Sequence, residues 1–414
     1  MTENENAFDQ ACEFLMKVGK AAHSYGSSGT RIESYLAHLA AALGYQGTFR
    51  ATPTEILYGF SKDSGSQQRL ELEDVPPSGW NLNRLAALGE LTASVEAGQV
   101  SVAEATQRLD DVDKQPDPWG PFLVGAAMLV AGAGFATMIG GSVWDVIAGG
   151  ILGLVVFFVM GLVGRFGGPR AAEWMSFLAA LVVGVLVALA RIIQPEINPI
   201  VASVCAVVIL VPGYPISLGI LELLTNHVVS GMANLMNGLL TLAQLVVGAW
   251  LGYALVTLVA EVPPIAAGQS VGLIWLLIAL VPMLAALCFA MQSPRQDVPA
   301  TMAIVGVAFA VSFLVGAAVP AMPGVFLSTL FAMAVGVVLA SLWNRRTGRP
   351  TTIMMAQIAM LLTSGTIGFR GLAAVTTGQT ALGLEQFLQM FVVAIALGVG
   401  LLVGNTIVRP KASL

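Results

Sequence analysis
Ten stretches of about twenty apolar residues follow one another through this chain, near 120–141, 144–164, 173–193, 199–221, 229–257, 271–291, 298–317, 323–343, 351–374 and 383–407. A helix rises about 1.5 Å per residue, so roughly twenty residues span the hydrocarbon of a bilayer. Backbone amides find no water there, and a chain with this pattern folds as a bundle of membrane helices, not as a soluble enzyme. Only 10% of the 414 residues are charged, against roughly 25% in a soluble domain. Cys12, Cys205 and Cys288 are too few and too scattered for a disulfide framework.

Charge divides the chain. Residues 1–118 hold 9 Lys and Arg against 17 Asp and Glu, whereas residues 119–414 hold 10 against 7. An acidic head, 1–118, therefore precedes an apolar body that divides into 119–260 and 261–414. The start MTENENAFDQ lacks the basic and apolar regions of a secretory signal, which leaves the head in the cytoplasm. Its acidity argues against nucleic acid and anionic lipid as partners. With the head inside, eight of the ten basic residues of the body fall in cytoplasmic loops or the tail, including Arg165, Arg170, Arg295, Arg345, Arg346, Arg349, Arg409 and Lys411. Arg191 and Arg370 are the exceptions. The positive-inside rule then places both termini of a multi-pass membrane protein in the cytoplasm.

Within the head, apolar periodicity predicts helices over 8–25, 30–43, 81–97 and 101–113, with three short strands near Thr48–Thr52, Glu55–Phe60 and Gln68–Leu72. Thr30 with Glu33 and Ser101 with Glu104 have the spacing of capping boxes. Asp63-Ser64-Gly65-Ser66 reads as a turn. Gly26-Ser27-Ser28-Gly29-Thr30 stands at a helix start but lacks the ending of a P-loop, and reads as a capped turn. His23 beside Ser24 makes no triad, and His23, His38 and Cys12 lack metal-ligand spacing. No enzyme, metal or cofactor motif is present.

The two sets of five spans align at a constant spacing of 152 residues. Asp145 falls on Asp297, Gly184 on Gly336, Gly213 on Gly365, Gly219 on Gly371, Gly231 on Gly383, Gly248 on Gly400 and Gly252 on Gly404. Five is odd, so the second copy enters the membrane upside down. Inverted repeats are an architecture of secondary transporters, which bind substrate where the halves meet. The fold expected is thus a polytopic α-helical membrane protein of about ten transmembrane helices, two inverted five-helix repeats behind a cytoplasmic α+β domain.

The fourth span is interrupted by Pro212, Gly213, Pro215 and Gly219, which remove donors and loosen the backbone. Irregular backbone at membrane depth is tolerated where it lines a cavity. The ninth span keeps Gly365, Gly368 and Gly371 but has Ser364 opposite Pro212, so its break is expected to be softer. The candidate substrate and ion pathway consists of Pro212, Gly213, Ser217, Glu222, Asn226, His227 and Asn234, with Ser364, Gly365, Thr366, Arg370 and Glu385 from the second copy. Glu222 carries protons or an ammonium group, or else sits with His227 as a solvated helix end. Arg370 clamps a substrate carboxylate, or else snorkels outward. Asp145 and Asp297, at span starts, read as helix caps. Small-residue runs such as Gly149-Gly150-Ile151-Leu152-Gly153 and Gly248–Gly252 allow close helix packing, within the chain or in a homo-oligomer.

HSYGSSGTRIESYLAHLAAALGYQGTFRATPTEI, VPGYPISLGILELLTNHVVSGMANL and SGTIGFRGL together resemble the threonine/serine exporter family, whose layout is a soluble domain followed by five and five spans. The resemblance implies proton-driven export of small amino acids; some members are linked to dicarboxylates such as succinate. By position it puts Pro212, Gly213 and Glu222 in the first motif and Gly365 with Arg370 in the second. Ser364 replaces the family's usual proline, and Asn234 stands where a basic residue is expected. A passive small-solute channel and a membrane-anchored hydrolase are the competing classes, the latter lacking HExxH and GxSxG.

Overall fold
The computed structural model describes residues 3–63, 67–75, 79–266, 268–319, 321–362 and 364–410. Residues 64–66 of the turn expected after Asp63, and Lys411, lie outside them.

The head folds as α1 (Glu3–Ser24), α2 (Gly29–Ala42), an antiparallel sheet of β1 (Gln46–Ala51), β2 (Glu55–Ser61) and β3 (Arg69–Asp74), then α3 (Leu82–Glu96) and α4 (Val102–Lys114). Alternation buries Phe49, Ala51, Ile56, Tyr58 and Phe60 on one face of the sheet. Register places Phe49 opposite Tyr58. Phe14, Val18, Ile32, Leu36 and Leu39 close this core from α1 and α2. Ser101 caps α4 by accepting from Glu104 N, as its spacing suggests. The first capping box is a correction: α2 begins at Gly29, and Glu33 accepts from Ala51 N at 3.0 Å and from Arg50 at 3.0 Å. Its carboxylate ties the helix to the sheet instead of reaching back to the helix start. Ser24 donates to Lys20 O within its own helix.

The body comprises α5 (Pro121–Met138), α6 (Val143–Phe166), α7 (Gly168–Glu173), α8 (Met175–Ile193), α9 (Pro199–Ala206), α10 (Gly213–Leu224) and α11 (Val228–Thr257). It continues with α12 (Leu273–Ala290), α13 (Val298–Ala318), α14 (Ala321–Thr347), α15 (Thr352–Leu361), α16 (Ser364–Thr376) and α17 (Thr380–Ile407). Among the described residues nine spans are long and apolar enough to cross a bilayer. The fourth of the expected spans is not among them, because it is divided into two short helices, α9 and α10, by the irregular stretch 207–212. α15 ends at Leu361 and α16 begins at Ser364.

Contacts recur at the 152-residue spacing. A Cβ on Gly219 would meet Leu235 N at 2.6 Å and Gly231 O at 2.8 Å; one on Gly371 would meet Phe387 N at 2.6 Å and Gly383 O at 2.8 Å. α8 packs on α11 as α14 packs on α17, and α10 on α11 as α16 on α17. The third helix departs from the gapless alignment. Gly248 faces the Phe177 carbonyl, whereas Gly400 faces that of Leu330, a spacing of 153. Val337, not Gly336, is therefore the counterpart of Gly184. The small-residue runs are used inside the chain: Gly153 abuts Met128 O, and Gly248 abuts Phe177 O. They give no separate reason for a homo-oligomer.

Asp145 caps α6 in a box with Ser142 and also accepts from Asn198 N at 2.7 Å. Asp297 makes no side-chain cap, a correction; its carboxylate accepts from Arg349 at 2.7 Å, and Arg349 reaches Glu90 of the head at 2.9 Å. Leu82 N and Asn83 N donate to Met291 O and Gln292 O, so the head is bolted to the C-terminal end of α12. Arg191 is also buried, holding Tyr253 Oη and Pro263 O. Arg349→Ala should strand the buried Asp297 carboxylate, a loss on the order of 3 kcal/mol. The expected result is a lower melting temperature in detergent and faster protease cleavage of the linker Lys114–Pro118; unchanged values of both would refute the anchoring role.

Candidate functional site
The two breaks meet. Gly213 and Gly365, the first residues or nearly so of α10 and α16, touch backbone to backbone, leaving a Cβ on Gly365 only 2.8 Å from Gly213 N. Ser217 Oγ lies 3.1 Å from Ser364 Oγ, and both hydroxyls also donate to Gly213 O. Two helix N-termini, each the positive end of a dipole, therefore converge; at α10, Gly213 N donates to Val211 O and Pro215 has no N–H. Pro212 ends the irregular stretch as the N-cap residue of α10, and Thr366 is buried in the first turn of α16.

A cavity opens on each side of this crossing. The head-side cavity, about 420 Å³, is lined in part by Met291, Ile209, Leu210, Pro215, Leu218, Asn234 and Asn237. The far-side cavity, about 430 Å³, is lined in part by Ile139, Leu361, Leu362, Ile367, Arg370, Gln386 and Gln389. These are the same seven positions displaced by 152 residues. The match is chemical as well: amides stand opposite amides, and the one change of character puts Arg370 where the head side has Leu218.

Glu222, two turns into α10, is 0% exposed, which removes the solvated-helix-end alternative for this residue. Asn234 Nδ2 donates to its Oε2 at 2.7 Å, and among the described residues Oε1 has no hydrogen-bond partner. A buried acid with one oxygen unsatisfied invites a proton or a cation. Its companions do not all join it. Asn226 is exposed and adopts φ 63°, the left-handed turn that Gly378 makes with φ 83° in the second copy. His227 starts α11, with Nδ1 3.2 Å from Thr225 Oγ1. Arg370 is half-buried in the far-side cavity, away from Glu222, and Glu385 is exposed beside a different cavity with Gln389 and Ser328.

Several lining residues escaped the sequence reading. Gln386 and Gln389 were within its reach, being Asn234 and Asn237 displaced by 152. Trp80 and Tyr214 of the head-side cavity carry no such signal, nor does Arg31, which lines a smaller cavity of about 290 Å³ together with Tyr214. Trp80 packs edge-on against Tyr214 at 5.1 Å, and Arg31 donates to Thr351 Oγ1 and Thr352 Oγ1, each at 2.7 Å. The head thus roofs the head-side cavity.

The comparisons with known proteins concern the head and the apolar helices together. The family model described as "Putative threonine/serine exporter" matches residues 13–256, the head and the first five spans. A "Probable threonine/serine exporter" of Mycobacterium tuberculosis is 24% identical over 338 residues, 79% of this chain and 63% of that protein. "Pheromone-regulated membrane protein 10" of Candida albicans is 25% identical over 376 residues, 86% of this chain and 33% of that protein. An uncharacterized protein of Schizosaccharomyces pombe is 24% identical over 263 residues, 62% of this chain and 31% of that protein. The chain therefore spans between 31 and 63% of the length of these curated relatives. No solved structure matches. With its head and first broken span both inside the family model, this multi-pass membrane chain belongs to the threonine/serine exporter family.

Proposed function
We infer that this protein is a secondary active exporter of threonine, serine and similar small polar amino acids, driven by the proton gradient of the cell inner membrane. The observation that carries the reading is the pair of cavities lined by equivalent positions on either side of the crossed breaks. Residues 119–260 and 261–414 then act as inverted repeats whose exchange of conformation opens one cavity and closes the other. The odd number of spans per repeat requires the inversion, and the matched glycine contacts support it. Residues 1–118 form the cytoplasmic domain, with both termini on that side.

The site chemistry favours a zwitterion. The converging N-termini and Arg370 suit a carboxylate, while Glu222 suits an ammonium group or the coupled proton. A dicarboxylate would meet the charge of Glu222 with a like charge. The reading is tested in liposomes by uptake of labelled threonine and serine with and without an imposed pH gradient, against empty vesicles. Accumulation against a concentration gradient is expected. Equilibration that ignores the pH gradient would mark a channel, and absence of uptake for threonine, serine and succinate alike would overturn the transporter reading.

A further inference from the structure
Arg31 is a cation in an odd place. It leaves the first turn of α2, enters the body, and spends its donors on neutral atoms: Thr351 Oγ1, Thr352 Oγ1 and Met355 Sδ. Among the described residues it forms no ion pair, and the charged or titratable neighbour that acts on it is the phenol of Tyr214, not a carboxylate. Burial pushes its guanidinium below the usual arginine value. Arg31 is half-buried, so its guanidinium, paired only with neutral atoms, is open to an anion entering beside it. It also borders a cavity of about 290 Å³, which Ser28, Thr30 and Ser34 of the head share with Ser217 and Leu218 of α10. That volume suits a small amino acid whose carboxylate would meet the guanidinium; the Ser34 and Ser217 hydroxyls are already given to Thr30 O and Gly213 O.

The comparison of the two sides says what is missing. The far-side cavity has its own guanidinium, Arg370, on α16; the equivalent residue of α10 is Leu218, which lines both the cavity of about 420 Å³ paired with it and the adjoining cavity of about 290 Å³, and Arg31 borders the latter. The body alone therefore offers a guanidinium to one entrance and not to the other. We propose that the head supplies the absent group: Arg31 binds the substrate carboxylate at the head-side entrance, in a site built jointly by α2 of the head, α10 and α15. The soluble head is then part of the transport path. Tyr214 lies in electrostatic reach of both Arg31 and Glu222.

The inference rests on the exporter reading, and the test separates the two. Binding of labelled threonine to the full-length protein in detergent is measured with unlabelled threonine, serine, succinate and threoninol, which lacks the carboxylate, as competitors. Threoninol should compete at least tenfold more weakly than threonine, and should still do so in Arg370→Gln, where Arg31 is the guanidinium that remains. Arg31→Gln should weaken threonine binding at least tenfold and bring threonine and threoninol together, with Arg31→Lys intermediate. Wild-type affinity in Arg31→Gln overturns the proposal. Loss of discrimination in Arg370→Gln overturns it as well, and decides the matter if Arg31→Gln does not fold. Binding of none of threonine, serine and succinate by the unaltered protein overturns the exporter reading and this inference with it.

Discussion
Glu222→Gln is expected to abolish pH-driven accumulation of threonine while leaving threonine-for-threonine exchange measurable. The glutamine keeps the shape and an acceptor for the Asn234 amide, which approaches Glu222 Oε2 at 2.7 Å. What it removes is the capacity to hold a proton or a cation at a position that is 0% exposed. Hydrogen bonds to a charged group contribute about 1.5–3 kcal/mol, so a carboxylate that contacts an ammonium group should lose roughly ten- to a hundredfold in affinity on neutralisation. A proton carrier fails differently, since exchange survives and accumulation against a gradient disappears. Both phenotypes are read in the same vesicles, exchange at symmetric pH and accumulation under a pH step. Accumulation at the wild-type level would exclude Glu222 from coupling and from substrate alike. Asn234→Ala, which strips the carboxylate of its amide partner, should give the same loss in milder form.

Gly365→Leu should eliminate transport altogether. A Cβ at this position would stand 2.5 Å from Val211 Cγ1, 2.8 Å from Gly213 N and 2.9 Å from Gly213 Cα. Two of those three atoms are backbone, which cannot rotate out of the way as a side chain does. Prising the two broken helices apart costs at least the roughly 1–3 kcal/mol of an overpacked core, and it displaces the Ser217 and Ser364 hydroxyls from their 3.1 Å contact. Gly316→Ala is the control, because a Cβ there meets Ser328 only at 3.8 Å. Transport by Gly365→Leu at the level of the control would mean that the crossing of the breaks is not the working centre.

The elements of this fold were legible because they are local. A run of twenty apolar residues has few alternatives, and the alternation of Phe49, Ala51, Ile56 and Tyr58 leaves little doubt about a sheet with one dry face. The break at Pro212 is likewise written in residues that remove backbone donors. Glu33 misled because a capping box and a side chain that bridges to the next strand share one spacing, and only the position of Ala51 N distinguishes them. Asp297 misled for the same reason, since its partner Arg349 lies 52 residues on. The site was half legible. Glu222 and Arg370 stand out as rare charges in apolar spans, but Arg31 looks like any surface arginine of an amphipathic helix until the head is seated on the body.

The seating of the head has a thermodynamic consequence. A body with nearly equivalent cavities has no intrinsic sense of direction, and a fixed head cannot confer one, because a binding group shifts equilibria without doing work. Net flux follows the coupled gradient alone. What a head-borne guanidinium changes is the half-saturation concentration on its own face. The ratio of maximal velocity to half-saturation in the two directions stays locked to the driving force, so tightening the grip on one face must slow the carrier in releasing cargo there. On the proposed reading the head is then a device for matching the carrier to the concentration of cargo inside the compartment it faces, and changing the head should retune that setting while the equilibrium endpoint of transport stays where it was.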